Sequence, residues 1–191
     1  MRPISTRLPI VVAPPILYLA SLKEDLRSEV KVGARIVTIG TFQASQLKSA
    51  GVTAIRASDA IRPPTQSYTK MSASLTMDVG LSVVLCIGHT RQQQHEMLID
   101  QVRILVIVLA YEGPPTTTPA AADETHAQIR SFIAEYFHPE VAEQVHIIYA
   151  GPVDKENCRV LAQQPNIDGF LLNAGSVREF VDITDATRKK K

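Results

Sequence analysis

The sequence predicts an α/β fold built on a parallel sheet, and three observations carry that prediction. Seven short β-prone runs alternate with helical segments, and no consecutive pair reads as a hairpin. The run Ile107-Val108-Leu109-Ala110-Tyr111 is short, unbroken and apolar, as a strand covered on both faces should be. It ends abruptly in Glu112, and the carboxyl ends of parallel strands face the ligand crevice, which makes Glu112 a candidate general base. The plainer alternative is a helix-capping or solvated loop carboxylate.

Leu8 to Ala13 form the first strand, and Pro14-Pro15 stop it by removing two ladder donors. Ile16 to Arg27 place apolar residues at helical spacing, with Leu17, Leu19, Leu22 and Leu26 available for an inward face. Lys31 to Val37 is the next strand. Gly40-Thr41-Phe42 is a trimmed turn, Ala44 to Ala50 a short helix stopped by Gly51, and Thr53 to Ala57 a strand. Arg62-Pro63-Pro64-Thr65 breaks the chain, and the polar residues to Lys70 make a loop. Ser72 to Val79 form a helix ended by Gly80, which feeds the strand Ser82 to Ile87.

Arg91 to Gln101 is polar around Met97 and Leu98, which suits a helix with one apolar stripe, and it runs into the strand Ile104 to Tyr111 almost without a loop. Ala120 to Phe137 follow two helix-start signals, Thr118 as a cap and Pro119 in the first turn. Strand Val145 to Tyr149, helix Glu156 to Gln163, strand Gly169 to Leu172 and a last helix at Val177 to Asp182 complete the alternation. The closing Arg188-Lys189-Lys190-Lys191 reads as a solvated, frayed tail.

The 191 residues suit one domain, 1–191, better than two. A net charge of +1 leaves no electrostatic footprint for nucleic acid or a membrane surface. No apolar run approaches the roughly 20 residues of a spanning helix, and the start lacks a charged-then-apolar leader pattern. Cys86, in an apolar strand, and Cys158, in a helix, stand far apart and in no metal-ligand spacing. Buried free thiols in a reducing, cytoplasmic compartment follow; no metal and no cofactor are expected for the chain.

The blocks Val11-Val12-Ala13-Pro14-Pro15-Ile16-Leu17-Tyr18-Leu19, Leu81-Ser82-Val83-Val84-Leu85-Cys86-Ile87-Gly88, Ala110-Tyr111-Glu112, Thr118-Pro119, His146-Ile147-Ile148-Tyr149 and Asn166-Ile167-Asp168-Gly169-Phe170-Leu171 occur in this order in triosephosphate isomerases. The chain resembles that family, strongly over residues 10–32, 80–88 and 107–182 and weakly between 35 and 79. The resemblance implies a (β/α)8 TIM-barrel fold. It also implies interconversion of dihydroxyacetone phosphate and glyceraldehyde 3-phosphate, metal-free, in cytoplasmic glycolysis and gluconeogenesis. Such barrels typically need about 250 residues, and the family's first strand, with its Asn-x-Lys motif, has no counterpart here. An incomplete barrel is therefore expected, with unpaired edges at the strands beginning near Leu8 and Gly169. Such edges open the barrel or recruit another chain, as a homo- or hetero-oligomer. The shortened Gly40-Thr41-Phe42 loop, where the family makes its dimer contact, argues against the usual dimer.

This family is itself the standard worked case of a Glu base acting with a neutral His electrophile under a closing loop. By resemblance Glu112 is the base. The electrophilic His should close a Gly-His-Ser-Glu-Arg motif, but the chain reads Arg56-Ala57-Ser58-Asp59-Ala60, which leaves Ala57 at that place. The Lys is absent with its strand. The family's Pro-x-Trp-Ala-x-Gly-Thr-Gly lid is reduced to Gly113-Pro114-Pro115-Thr116-Thr117, losing hinge and tip. The phosphate-binding Gly-Gly-Ser appears as Ala150-Gly151-Pro152, where Pro152 removes a backbone donor and a hydroxyl together. The later glycine pair reads Asn173-Ala174, whose side chains crowd an anion. Gly151, Asn173, Ala174, Gly175 and Ser176 are left as a weakened site for a small phosphorylated triose. His89 ends a strand toward the same end as Glu112, where the family has Glu, but a lone strand-end His is ordinarily solvated. His95, His126, His138 and His146 have no ligand spacing and read as structural.

Two further readings stay open at this point. The chain can be a non-catalytic paralogue used as a binding or interaction scaffold, or an incomplete gene product.

Overall fold

A computed structural model describes residues 10–34, 44–57, 76, 78–88, 108–172 and 176–188. The chain divides into two compact units, Met1–Cys86 with Ile99–Ile107, and Ile87–Leu98 with Val108–Lys191. The expected turn at 40–42, loop at 62–70, helix at 91–101, and the histidines His89 and His95 lie outside the described residues, as does the tail beyond Arg188.

In the first unit, β1 (Val11–Val12), β2 (Lys31–Ala34), β3 (Ala54–Ala57) and β4 (Ser82–Ile87) lie side by side in chain order. Every described pairing among them is parallel. After Pro14-Pro15 the chain makes a 3-10 turn, Ile16–Tyr18, and only then α1, Leu19–Asp25. That turn corrects the expected inward face: Leu19 is buried, but Leu17 is 87% exposed. Three residues per turn rotate Leu17 away from the stripe that a continuous α-helix would have formed.

α2 (Ala44–Ser49) ends as the sequence requires. Gly51 adopts φ 85°, its N–H donates to the Lys48 carbonyl, and the Val52 N–H reaches back to the Leu47 carbonyl. This six-to-one closure needs a left-handed residue at its hinge, and only glycine takes that conformation without steric cost. It also packs Val52 on Leu47, both within the core cluster of Val32, Ala34, Ala44, Ile55 and Leu81.

In the second unit β5 (Val108–Tyr111), β6 (His146–Tyr149) and β7 (Gly169–Phe170) pair in parallel. α3, Pro119–Tyr136, begins at the expected cap, where Thr118 Oγ1 accepts the Ala121 N–H at 3.3 Å. A helix the sequence reading missed follows: α4, Pro139–Gln144, is capped by His138 Nδ1, which accepts the Glu140 N–H at 3.4 Å. α5 (Cys158–Ala162) and α6 (Val177–Arg188) complete the unit. α6 runs past the expected Asp182, so Arg188 is helical and not tail.

The fold is of the (β/α)8 TIM-barrel type, with seven of its strands among the described residues. Among them β1 is paired only with β2, and β7 only with β6. No helix of the described residues is long and apolar enough to cross a membrane.

Candidate active site

Strand alternation decides which side chains reach the site. Tyr111 and Tyr149 are partners in the β5–β6 register, and both meet His126 of α3, with ring centroids 5.7 and 6.2 Å away. That row therefore faces the helices. The next residues, Glu112 and Ala150, face the opposite side. Because Tyr149 is also in register with Phe170, Leu171 joins them. Two strand-continuing bonds hold this rim row: Ala150 N–H to Tyr111 carbonyl, 2.8 Å, and Leu171 N–H to Tyr149 carbonyl, 2.9 Å. The Glu112 N–H donates to the Ile87 carbonyl at 3.0 Å, so the carboxylate stands on a fixed strand end.

A cleft of about 400 Å³ opens on this rim. Gly113 and Pro115 line it after β5, Ala150 to Val153 after β6, and Leu171 and Leu172 after β7. Gly113 to Thr117 form a tight turn, in which the Thr117 N–H and hydroxyl both donate to the Pro114 carbonyl, at 3.0 and 2.7 Å. Beyond the cleft, Asp154 Oδ1 accepts the N–H groups of Glu156 and Asn157 at 2.9 and 2.8 Å, and Asn157 Nδ2 donates to the Pro152 carbonyl. The loop after β6 is thus closed on itself.

Gly151 is a glycine for a packing reason that sequence reasoning did not see. A Cβ there would lie 2.0 Å from Tyr149 Oη and 2.1 Å from Cζ. Burial raises the Tyr149 phenol's pKa, with the Thr117 hydroxyl working in the opposite sense. Pro152 lines the cleft directly after Gly151, so a residue without an N–H stands at the mouth.

Ala57 is the last residue of β3, in register with Leu85, and so closes a strand of the first unit as Glu112 closes one of the second. Asn173, Ala174, Gly175 and His89 lie outside the described residues. Ser176 is described: its Oγ accepts the Glu179 N–H at 3.1 Å and caps α6. Cys86 and Cys158 are both buried free thiols, and burial raises the pKa of Cys158. No group of three or more His, Cys, Asp or Glu able to hold a metal occurs among the described residues.

His126 is fully buried. Its Nδ1 lies 3.3 Å from the Asn166 carbonyl, so that nitrogen carries the proton, and Nε2 has no hydrogen-bond partner among the described residues. Burial holds its pKa down at about 4, against the partial opposition of the Asn166 carbonyl. It supports the tyrosine row behind the rim and takes no part in the cleft.

Parallel strands whose carboxyl-end loops form a cleft, with Glu112 next in sequence to the lining residue Gly113, make an arrangement of the (β/α)8 class. Comparison with known proteins narrows this. The family model described as triosephosphate isomerase matches residues 3–187. Triosephosphate isomerase of Coprinopsis cinerea is 32% identical, over 94% of this chain and 84% of its own length. That of Aspergillus oryzae is 32% identical over 93% and 84%. A cytosolic triosephosphate isomerase of Oryza sativa subsp. japonica is 27% identical over 95% and 84%. The chain belongs to the triosephosphate isomerase family.

Proposed function

We propose that this chain is a cytoplasmic triosephosphate isomerase family member in which the isomerisation of triose phosphates is very weak or lost. Glu112 keeps the part of the proton-abstracting base. The observation that carries the reading is Ala57 as the closing residue of β3, which the resemblance matches to the family's electrophilic His. Removing a proton beside a carbonyl leaves negative charge on the carbonyl oxygen, and a methyl group cannot donate to it. Loss of one such preorganised donor commonly costs about 10²–10³ in turnover. Gly151, Asn173 and Ala174 make the weakened contacts to a phosphorylated triose. The self-contained Gly113–Thr117 turn, pinned by the Pro114 carbonyl, replaces a closing lid and leaves water less well excluded.

The 191 residues act as one domain in this reading, and the single-sided pairing of β1 and β7 among the described residues supports association of the chain through a sheet edge. A coupled assay with glyceraldehyde 3-phosphate tests the reading. Turnover comparable to that of the fungal relatives would defeat it.

A further inference from the structure

We propose that His126 is an acid-operated latch on the rim cleft: a proton taken up at its Nε2 draws the Tyr149 phenol onto the imidazole and shifts the two glycines that rest on the tyrosine ring. His126 lines no part of the cleft and acts on it through Tyr149. A Cβ on Gly151 would lie 2.0 Å from Tyr149 Oη, and one on Gly113 would lie 3.0 Å from Cε2, so both glycines sit directly against the ring. Both line the cleft. The same ring meets His126 at a centroid distance of 6.2 Å, tilted by 54°.

Two atoms make that contact switchable. His126 Nε2 and Tyr149 Oη are both buried and lack a hydrogen-bond partner among the described residues. While the imidazole is neutral, with its proton on Nδ1 against the Asn166 carbonyl, Nε2 is only an acceptor. Protonation turns it into a charged donor, and a buried charged donor without an acceptor is strongly disfavoured. The groups facing the ring are Tyr111 from β5, Tyr149 from β6, Asp123 and Arg130 from α3, and Asn166 and Asp168 ahead of β7. Both carboxylates are engaged elsewhere: Asp123 accepts two bonds from Asn166, and Asp168 accepts from Arg130 and the Ile147 N–H. Arg130 repels the new charge. Tyr149 Oη is left as the acceptor, and a charge-assisted bond is roughly twice as strong as a neutral one. Burial holds the imidazole down at about 4, so the latch is set at neutral pH and works as the pH falls toward that value.

An NMR pH titration of the full chain, following the His126 Cε1 proton and the amides of Gly113 and Gly151, tests this. In the parent protein both amides should show a step at the His126 midpoint. Tyr149→Phe removes the acceptor, and is expected to lower the proton affinity of His126 about tenfold and to abolish that step at Gly151. His126→Gln should abolish the same step with the phenol intact. The rim carboxylates are present in all three proteins, so differences among them belong to the His126–Tyr149 pair. A His126 midpoint that is unchanged or raised in Tyr149→Phe, or a Gly151 response that is the same in the parent and the variants, would overturn the proposal. Should one variant fail to fold, the other carries the comparison, and a parent Gly151 amide with no step at the His126 midpoint refutes the latch by itself.

Discussion

Arg130 and Asp168 form a 2.8 Å ion pair, and the same Asp168 oxygen accepts the Ile147 N–H at 2.7 Å. The second terminal guanidinium nitrogen, Nη1, donates to the carbonyls of Ala142 and Val145. One charge pair thus joins α3, the end of α4, the start of β6 and the approach to β7. The side chains are 14% and 18% exposed, so neither charge is well hydrated.

Removing one partner takes the opposite charge away from the other, which stays largely buried. Asp168→Ala is expected to destabilise the protein by about 3–5 kcal/mol. Arg130→Met with Asp168→Leu should cost clearly less than the sum of the single changes. Urea unfolding of the four-member cycle measures this, and strictly additive costs would show that the pair is not coupled.

His126 makes stability depend on pH. Its folded pKa of about 4 lies below the ordinary 6.5, so the unfolded chain binds the proton more readily. Full stability is therefore present above about pH 6.5 and is lost as pH falls toward 4, by about 3 kcal/mol in all. Denaturation midpoints at pH 7 and pH 4.5 should differ less in His126→Gln than in the parent, and an equal drop in both would assign the effect to other groups.

Gly151→Ala drives a methyl group into the Tyr149 ring. A loss of about 1–3 kcal/mol is expected. Because Cζ is as close as the hydroxyl, Tyr149→Phe should not relieve it. A thermal melt in which Gly151→Ala becomes harmless in the Phe background would place the clash at the oxygen alone.

The proposed role of Glu112 as the base is open to direct test by residual isomerisation. Glu112→Gln is expected to abolish it, and Ala57→His to raise it by about tenfold or more while staying short of the roughly 10²–10³ attributed to such a donor. The double variant separates a true site from a contaminating enzyme: a rate that survives Glu112→Gln does not arise at this carboxylate.

Much of the architecture was legible in local chemistry. Thr118-Pro119 announced α3, Gly51 ended α2 and Pro14-Pro15 stopped the first strand, because caps, left-handed turns and missing N–H groups act within a few residues. The position of Glu112 at the close of β5 was readable for the same reason. What escaped was of two kinds. α4 is only six residues long and its cap is a His, a residue outside the usual capping set. Leu17 kept an apolar identity that predicts burial, and only the 3-10 turn sends it to solvent.

The chain's own order of residues determined the alternation of strands and helices, the strand end that carries Glu112, and the family-defining blocks, since each depends on neighbours along the backbone. Tertiary structure decided the rest. It set Glu112, Ala150 and Leu171 in one row, placed Tyr149 against Gly151, and brought Arg130 to Asp168. These partners stand 21 to 59 positions apart except for Tyr149 and Gly151, and it is strand register and helix packing that bring them together, across distances that local propensity does not reach.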